Sequence, residues 1–387
     1  MVRNSAVKSA RKSSAATKEV EYEPLGTPQS DEEWERAPAR IKVVGVGGGG
    51  CNTVRRMMQH TVRGVQYVMC NTDIKSLEQA GKVDGLRLVQ LGPKSTKGWG
   101  AGGRPLLGEQ AAEESAAELR DAIKNAELVF VTAGMGGGTG TGAAPYVSHL
   151  AKQMGALVVG VVTTPFSFEG KKRMGDAIAG IRRLRPYMSN LIVIHNDRLL
   201  QYVSHDAEML EAFKTADEVV TQGILSISQL INEPGEINVD FADVQTIMGH
   251  PGGAIMAIGE GKGKNGPVEA ALQAISNPLL NLSINGAKGV LFSVKGGHEV
   301  TLGGVNEAGK IIRNASDSKA HIFFGMNVDN SMEGQVKLTM IATGLKEDNW
   351  LSAVTDPGAI TRGVKNLMEG APATKRNGFL GLRKRPS

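Results

Sequence analysis

The stretch GMGGGTGTGAAP, Gly134 to Pro145, constrains this chain more than any other, with six glycines in its first nine residues. Ordering so much glycine costs backbone entropy, so the segment must hold something in place. The preceding AELVFVTA is short, apolar and rich in β-branched residues, which predicts a buried parallel strand. The following AAPYVSHLAKQM has helical spacing, with Pro145 in the first turn. Strand, glycine-rich turn and helix in that order suit an anion. Glycine lets backbone N–H groups approach it, and the helix N-terminus adds partial positive charge. Thr139 and Thr141 add hydroxyls. A phosphate group is the expected guest; a long flexible turn is the plain alternative.

The same alternation runs from Ile41 onward. IKVVGVG, VQYVMCNTD, LRLVQLG, GALVVGVVTTP and LIVIHND read as further strands, while NTVRRMMQ opens a helix and GEQAAEESAAELRDAIK forms another. Such a chain is α/β, with a parallel sheet, helices on both faces and ligands beyond the carboxyl ends of the strands. A long helix is expected from about Ala207 to Ile231, with Phe213, Val220, Ile224, Ile227 and Ile231 on one apolar stripe. Asp217 lies on that stripe one turn after Phe213, where a carboxylate needs a partner. Beyond it GPVEAALQAISN and GGVNEAGKIIRNA read as helices, and AKGVLFSVKG, AHIFFGMNVD and QVKLTMIATG as strands. The expected units are a disordered tail over 1–39, a nucleotide domain over 40–206, a core helix over 207–235, a smaller domain over 236–346 and a tail over 347–387.

Composition removes several function classes. No apolar run approaches the ~18 residues of a membrane span. Two cysteines, Cys51 and Cys70, and seven scattered histidines make no disulfide framework and no metal-ligand spacing, so a reducing cytoplasm is expected. The net charge of +5 misleads: residues 1–40 hold seven basic and seven acidic side chains, and the last sixteen hold five basic and none acidic. The core is therefore neutral and, at 4% aromatics, does not suit nucleic-acid binding.

Three more motifs carry chemistry. GVGGGGCN fits G-x-G-x-x-G at Gly45, Gly47 and Gly50, with Asp73 about twenty residues on, which is the form of a dinucleotide fingerprint. Against an NAD or FAD site stand the stronger turn at 134–142 and a third, GWGAGGRP, from Gly98 to Pro105. Three such turns on one edge suggest a wrap around several phosphates of one nucleotide. No glycine is followed by Lys-Ser or Lys-Thr, so backbone donors must hold them. TTPFSFEGKKR places Glu169 four residues before Arg173, as an ion pair or as contacts to a ribose or base. NVDFADV places Asp240 and Asp243 three apart at a helix start. They either cap that helix, or orient water for attack on a phosphate with Asn238 beside them. That segment lies beyond the long helix, so another subunit would have to present it.

Together these residues resemble the FtsZ family of tubulin-like GTPases that act in prokaryotic cell division. GGGTGTG is the tubulin-type signature; NVDFADV, TTPFSFEGKKR and IATG favour FtsZ over tubulin proper, and the likeness covers roughly Arg40 to Leu345. The resemblance implies a Rossmann-like GTPase domain joined by a core helix to a smaller α+β activation domain with a mixed sheet. It implies that Gly47, Gly48, Gly49, Gly136, Gly137, Gly138, Thr139 and Gly140 cradle the phosphates. Ala101, Gly102 and Gly103 would lie near the γ-phosphate, and Asn71 and Asp73 near the phosphates and Mg²⁺. Asn52, Thr163, Glu169 and Arg173 would hold the sugar and base. Asn196, Phe213 and Asp217 would form the guanine pocket, with Phe213 stacking on the base and Asp217 accepting its N1–H and amino protons. His195 stands where a proline is common and takes no role. Subunits would stack head to tail, so that Asn238, Asp240 and Asp243 meet the neighbour's GTP and act on the attacking water. The resemblance also implies a cytoplasmic filament at the division site under the membrane, with tethering and division proteins on the C-terminal tail. The tail here, GFLGLRKRPS, keeps only an apolar-then-basic character and suits anionic lipid or a neighbouring filament. A filament former for shape control or DNA segregation, and a monomeric NAD-binding oxidoreductase, are the competing readings.

Overall fold

The computed structural model describes residues 34–60, 62–81, 83, 85–200, 209–277 and 283–355. Ala207, most of the 1–39 tail and the GFLGLRKRPS peptide lie outside the described residues.

The first unit contains β1 (Ile41–Val46), α1 (Gly47–Met57), β2 (Val65–Asn71), α2 (Ile74–Glu78), β3 (Leu86–Gln90), α3 (Pro105–Glu114) and α4 (Ala116–Ile123). It continues with β4 (Leu128–Gly134), α5 (Gly138–Gln153), β5 (Leu157–Thr164), α6 (Lys171–Leu184), β6 (Asn190–His195) and the short α7 (Asn196–Leu199). The strands run parallel in the order β3-β2-β1-β4-β5-β6, the doubly wound order. Every residue of β1 is buried, as a strand covered on both faces must be. Ile41 and Val43 face one core and Val44 and Val46 the other.

α8 (Met209–Asn232) follows, then α9 (Phe241–Met248), β7 (Gly253–Lys262), α10 (Gly266–Ile275), β8 (Gly289–Gly296), α11 (Leu302–Ala315), β9 (His321–Val328), β10 (Gln335–Leu345) and α12 (Glu347–Thr355). The second sheet is mixed: β10 pairs antiparallel with β7 and β8, and β8 parallel with β9. It joins the first sheet where Ile192 of β6 pairs with Ala254 of β7. α8 lies across the junction. Its Val220, Ile224, Ile227 and Ile231 share one core with Ile41 and Val159 of the first sheet and Met256, Leu291 and Ile341 of the second.

The structure departs from the sequence expectations in several places. α5 begins at Gly138 and α1 at Gly47, so the glycine runs are first helical turns and Pro145 sits inside α5. The expected helix over GEQAAEESAAELRDAIK divides at Ser115, whose hydroxyl donates to the Gln90 carbonyl (3.1 Å) and accepts from the Gly92 amide (3.0 Å). A side chain so placed competes with continuous helix. β7 was not legible because its Gly259 and Gly261 break the apolar pattern; a Cβ at Gly259 would come 2.8 Å from the Ala274 nitrogen of α10. Folded residues extend into both ranges expected to be tails. Trp34 is buried and its indole N–H donates to the Ile41 carbonyl (3.2 Å). Residues after Lys346 fold into α12, with Trp350 fully buried.

Candidate nucleotide site

The carboxyl edge of the first sheet gathers the glycine turns. β1 passes directly into α1, and β4 passes through Met135–Gly137 into α5. Neither helix has a side-chain cap, so its first-turn N–H groups remain available to an anion. Within these two turns, two positions require glycine's positive φ. Gly47 (φ 71°) would put a Cβ 2.8 Å from the Gly140 nitrogen, and Gly136 (φ 95°) would put one 2.6 Å from the Arg173 carbonyl oxygen. Gly48, Gly103 and Gly137 face open space, with no atom within 4 Å of an added Cβ. Gly49 backs onto the Gly134 nitrogen, at 3.2 Å from its own Cβ position.

The third turn docks on the same edge. The Gly100 amide donates to the Thr72 carbonyl and the Ile74 amide to the Gly98 carbonyl, both at 3.2 Å. Ala101 is buried; a Cβ at Gly138 would lie 2.9 Å from its methyl and 2.8 Å from the Arg104 nitrogen. Gly102 (φ 56°) and Gly103 (φ 68°) carry the chain round to α3. Thr139 and Thr72 share a hydroxyl–hydroxyl hydrogen bond of 2.6 Å, fastening α5 to the end of β2. Thr141 accepts from the Gly136 amide (2.7 Å), so its hydroxyl braces the loop. The buried Asn71 accepts from the Asp73 amide (3.3 Å), and Asp73 caps α2 by accepting from Lys75 (3.0 Å).

At the other end of the edge, Thr163 is the register partner of Gly134 and its carbonyl accepts from Met135 (2.9 Å). Glu169 forms the expected ion pair with Arg173 (2.7 Å) and also accepts from the Phe166 amide (2.9 Å). Phe166 stacks on Phe168 with centroids 5.0 Å apart and meets Phe213 edge-on at 5.1 Å. Phe213 is 36% exposed and presents a face of this aromatic cluster. Asn52 accepts from Arg55 at 2.8 Å. The partner that Asp217 required is Arg56, at 3.1 Å. Burial raises the Asp217 carboxyl above its ordinary range, and Arg56 and Thr53 oppose that rise. Asn196 is buried with its carboxamide oxygen unpartnered among the described residues, as suits a pocket completed by a ligand. Its neighbour His195 is buried, bonded through Nδ1 to the Thr164 hydroxyl (3.1 Å), and burial pushes its pKa down to about 3. Thr72, Arg56, Phe166 and Phe168 escaped sequence reasoning. Phe166 and Phe168 lay within a motif already singled out, while Arg56 had no local signal.

Asn238, Asp240 and Asp243 are not brought to these turns. Asn232, at the end of α8, bonds both backbone groups of Ala39, just before β1 begins. Asn190, the first residue of β6, donates to the Met248 carbonyl at the end of α9 (2.6 Å). α9 therefore lies at the amino edge of the sheet, one strand length away, about 20 Å. Asp240 occupies the N-cap position of α9 with an exposed side chain that makes no capping bond. Asn238 accepts from the Gly235 amide (2.8 Å).

A doubly wound sheet with three glycine turns, coupled through a long helix to a mixed sheet, is the architecture of tubulin-like GTPases. The model of the Tubulin/FtsZ family GTPase domain matches residues 40–204, and that of the FtsZ family C-terminal domain matches 252–346. An empty FtsZ dimer from M. jannaschii is 40% identical, with a TM-score of 0.75, over 79% of this chain and 88% of that one. Two Haloferax volcanii proteins share the fold at 19% identity, over 84% of this chain and 99% of theirs. They are CetZ1 as a GDP-bound monomer (TM-score 0.71) and CetZ2 as a GTPγS-bound protofilament (TM-score 0.65). The chain belongs to the FtsZ family. The NAD-dependent reading of Gly45, Gly47 and Gly50 falls with that assignment.

Proposed function

We propose that this protein binds and hydrolyses GTP, polymerises head to tail, and scaffolds the cell-division ring, with each active site completed by the next subunit. The observation that carries this reading is the separation of its two halves. The glycine turns lie at the carboxyl edge of the sheet, whereas Asp240 and Asp243 project from the amino edge, with no capping bond from Asp240. One copy cannot apply those carboxylates to its own nucleotide; a stacked neighbour can. Such a heterologous contact repeats as an open filament.

In this reading Gly47, Gly48, Gly49, Gly136, Gly137, Gly138, Thr139 and Gly140 hold the phosphates through backbone donors, and Ala101, Gly102 and Gly103 close over the terminal one. Asn52, Thr163, Glu169 and Arg173 hold the sugar and base. Phe213 stacks on guanine, Asp217 accepts its paired N–H groups, and Asn196 completes the pocket with its unsatisfied oxygen. Guanine presents that donor pair and adenine does not. The neighbour's Asp240 and Asp243 orient and deprotonate the attacking water, and Asn238 fixes the segment that bears them. The oxygen donors of Asp73 and Asn71 suit Mg²⁺, which when bound offsets phosphate charge. No helix among the described residues is long and apolar enough to cross a membrane; in this reading, partners of the C-terminal tail attach the filament at the division site.

GTP turnover per molecule, measured against protein concentration, tests the shared site. It should climb above a threshold concentration; a flat line would sink the proposal. Asp240→Ala and Asp243→Ala should each retain GTP binding and lose hydrolysis by about a hundredfold or more. Normal turnover in either would return the segment to a structural role.

A further inference from the structure

We propose that Arg104 contacts the terminal phosphate of the bound nucleoside triphosphate and lets the site distinguish triphosphate from diphosphate. This rests on the nucleotide reading above. Strand order gives the direction of the ligand. Along the carboxyl edge, Asn196 follows β6, Glu169 follows β5, Met135–Gly137 follow β4, Gly47 follows β1, Thr72 and Asp73 follow β2, and Gly98–Arg104 follow β3. A nucleotide with its base at the Phe213–Asp217 end therefore points its phosphate tail toward β2 and β3. The last residue of that series is Arg104.

Its local geometry agrees. The Arg104 backbone nitrogen packs on the first residue of α5, 2.8 Å from where a Cβ of Gly138 would lie. Its Nε lies 3.9 Å from the corresponding point on Gly102, so the side chain folds back over the third turn. Arg104 stands at the N-cap position of α3, and Pro105 begins that helix. The side chain is exposed and pairs with no carboxylate among the described residues. Other arginines on this edge are already committed: Arg55 to Asn52, Arg56 to Asp217 and Arg173 to Glu169. The sequence also lacks the lysine with which a Walker A loop reaches distal phosphates. A guanidinium at this point supplies that cation, with a planar fork that matches phosphate oxygens.

The test compares affinities for GTP and GDP in the full-length protein, below the concentration at which turnover climbs. Arg104→Ala should keep its GDP affinity and lose roughly tenfold in GTP affinity. Arg104→Lys should recover part of the loss, because it restores the charge without the fork. Loss of both affinities to the same extent, or of neither, would overturn the assignment. A wild-type protein that binds neither nucleotide would overturn the nucleotide reading itself and this one with it.

Discussion

Asp217 is held between two demands. Burial favours its neutral form and pushes its pKa up, while Arg56, 3.1 Å away, favours the carboxylate. In the proposed base pocket, only the carboxylate can accept both guanine N–H groups. Protonation removes that acceptor, so guanine affinity should fall as pH falls, and it should do so above the range where an exposed aspartate titrates. Asp217→Asn cannot ionise. It should lose about tenfold in GDP affinity at neutral pH and flatten the profile on acidification, as read by titration calorimetry. A wild-type profile in that variant would remove Asp217 from the base pocket. The need behind this arrangement was legible, because a carboxylate on an apolar helical stripe is an anomaly in one dimension. Its answer was not, because Arg56 lies 161 residues earlier and only the packing of α1 against α8 brings the two together. The same limit hid Thr72, whose bond to Thr139 spans 67 residues.

At the scale of elements, the strands were readable and the helix starts were not. Continuous β-branched runs declare buried strands whatever surrounds them. Glycine runs declare turns by local propensity, yet GGGG and GTGTG begin α1 and α5. Tertiary packing overrides propensity there, since a side chain at most of these positions would strike backbone from a neighbouring turn. An open position stands just ahead of α5, at its N-cap. A Cβ on Gly137 meets nothing within 4 Å, and its backbone (φ −89°, ψ 173°) is one that alanine adopts freely. Gly137→Ala should therefore melt at or slightly above the wild-type temperature while binding GTP and GDP more weakly, because its methyl enters the space at the α5 N-terminus. Gly138→Ala should instead lose about 1–3 kcal/mol of stability, since its methyl meets the Arg104 nitrogen at 2.8 Å and backbone cannot yield. Unchanged nucleotide affinity in Gly137→Ala would place the phosphates elsewhere.

At the scale of the whole molecule, the question is where the folded unit ends. The two sheets meet at the pairing of Ile192 with Ala254, and α8 lies under both. α12 adds a further fastening that the sequence concealed, because one tryptophan in a short charged segment makes no pattern. Trp350 packs over Gly253, where a Cβ would overlap its ring, and donates to the Ala254 carbonyl (2.9 Å) beside that pairing. Arg185, from the first unit, grips Glu347 with two bonds of 2.8 and 2.9 Å, donates to the Gly252 carbonyl (2.7 Å) and lies 5.7 Å from the Trp350 ring. These contacts differ in energetic weight. The Arg185–Glu347 pair leaves the Glu347 side chain 41% exposed, so Glu347→Gln should lower stability by no more than about 1 kcal/mol. Trp350 is fully buried, and Trp350→Ala should cost about 3–5 kcal/mol in urea unfolding. Trp350→Phe should fall between them, keeping most of the ring and losing its bond to Ala254. If Trp350→Ala unfolds at the wild-type urea midpoint, α12 contributes nothing to the fold and the unit ends at Lys346. If it falls as expected, the helix that leads into the C-terminal tail is itself part of the joint between the two sheets.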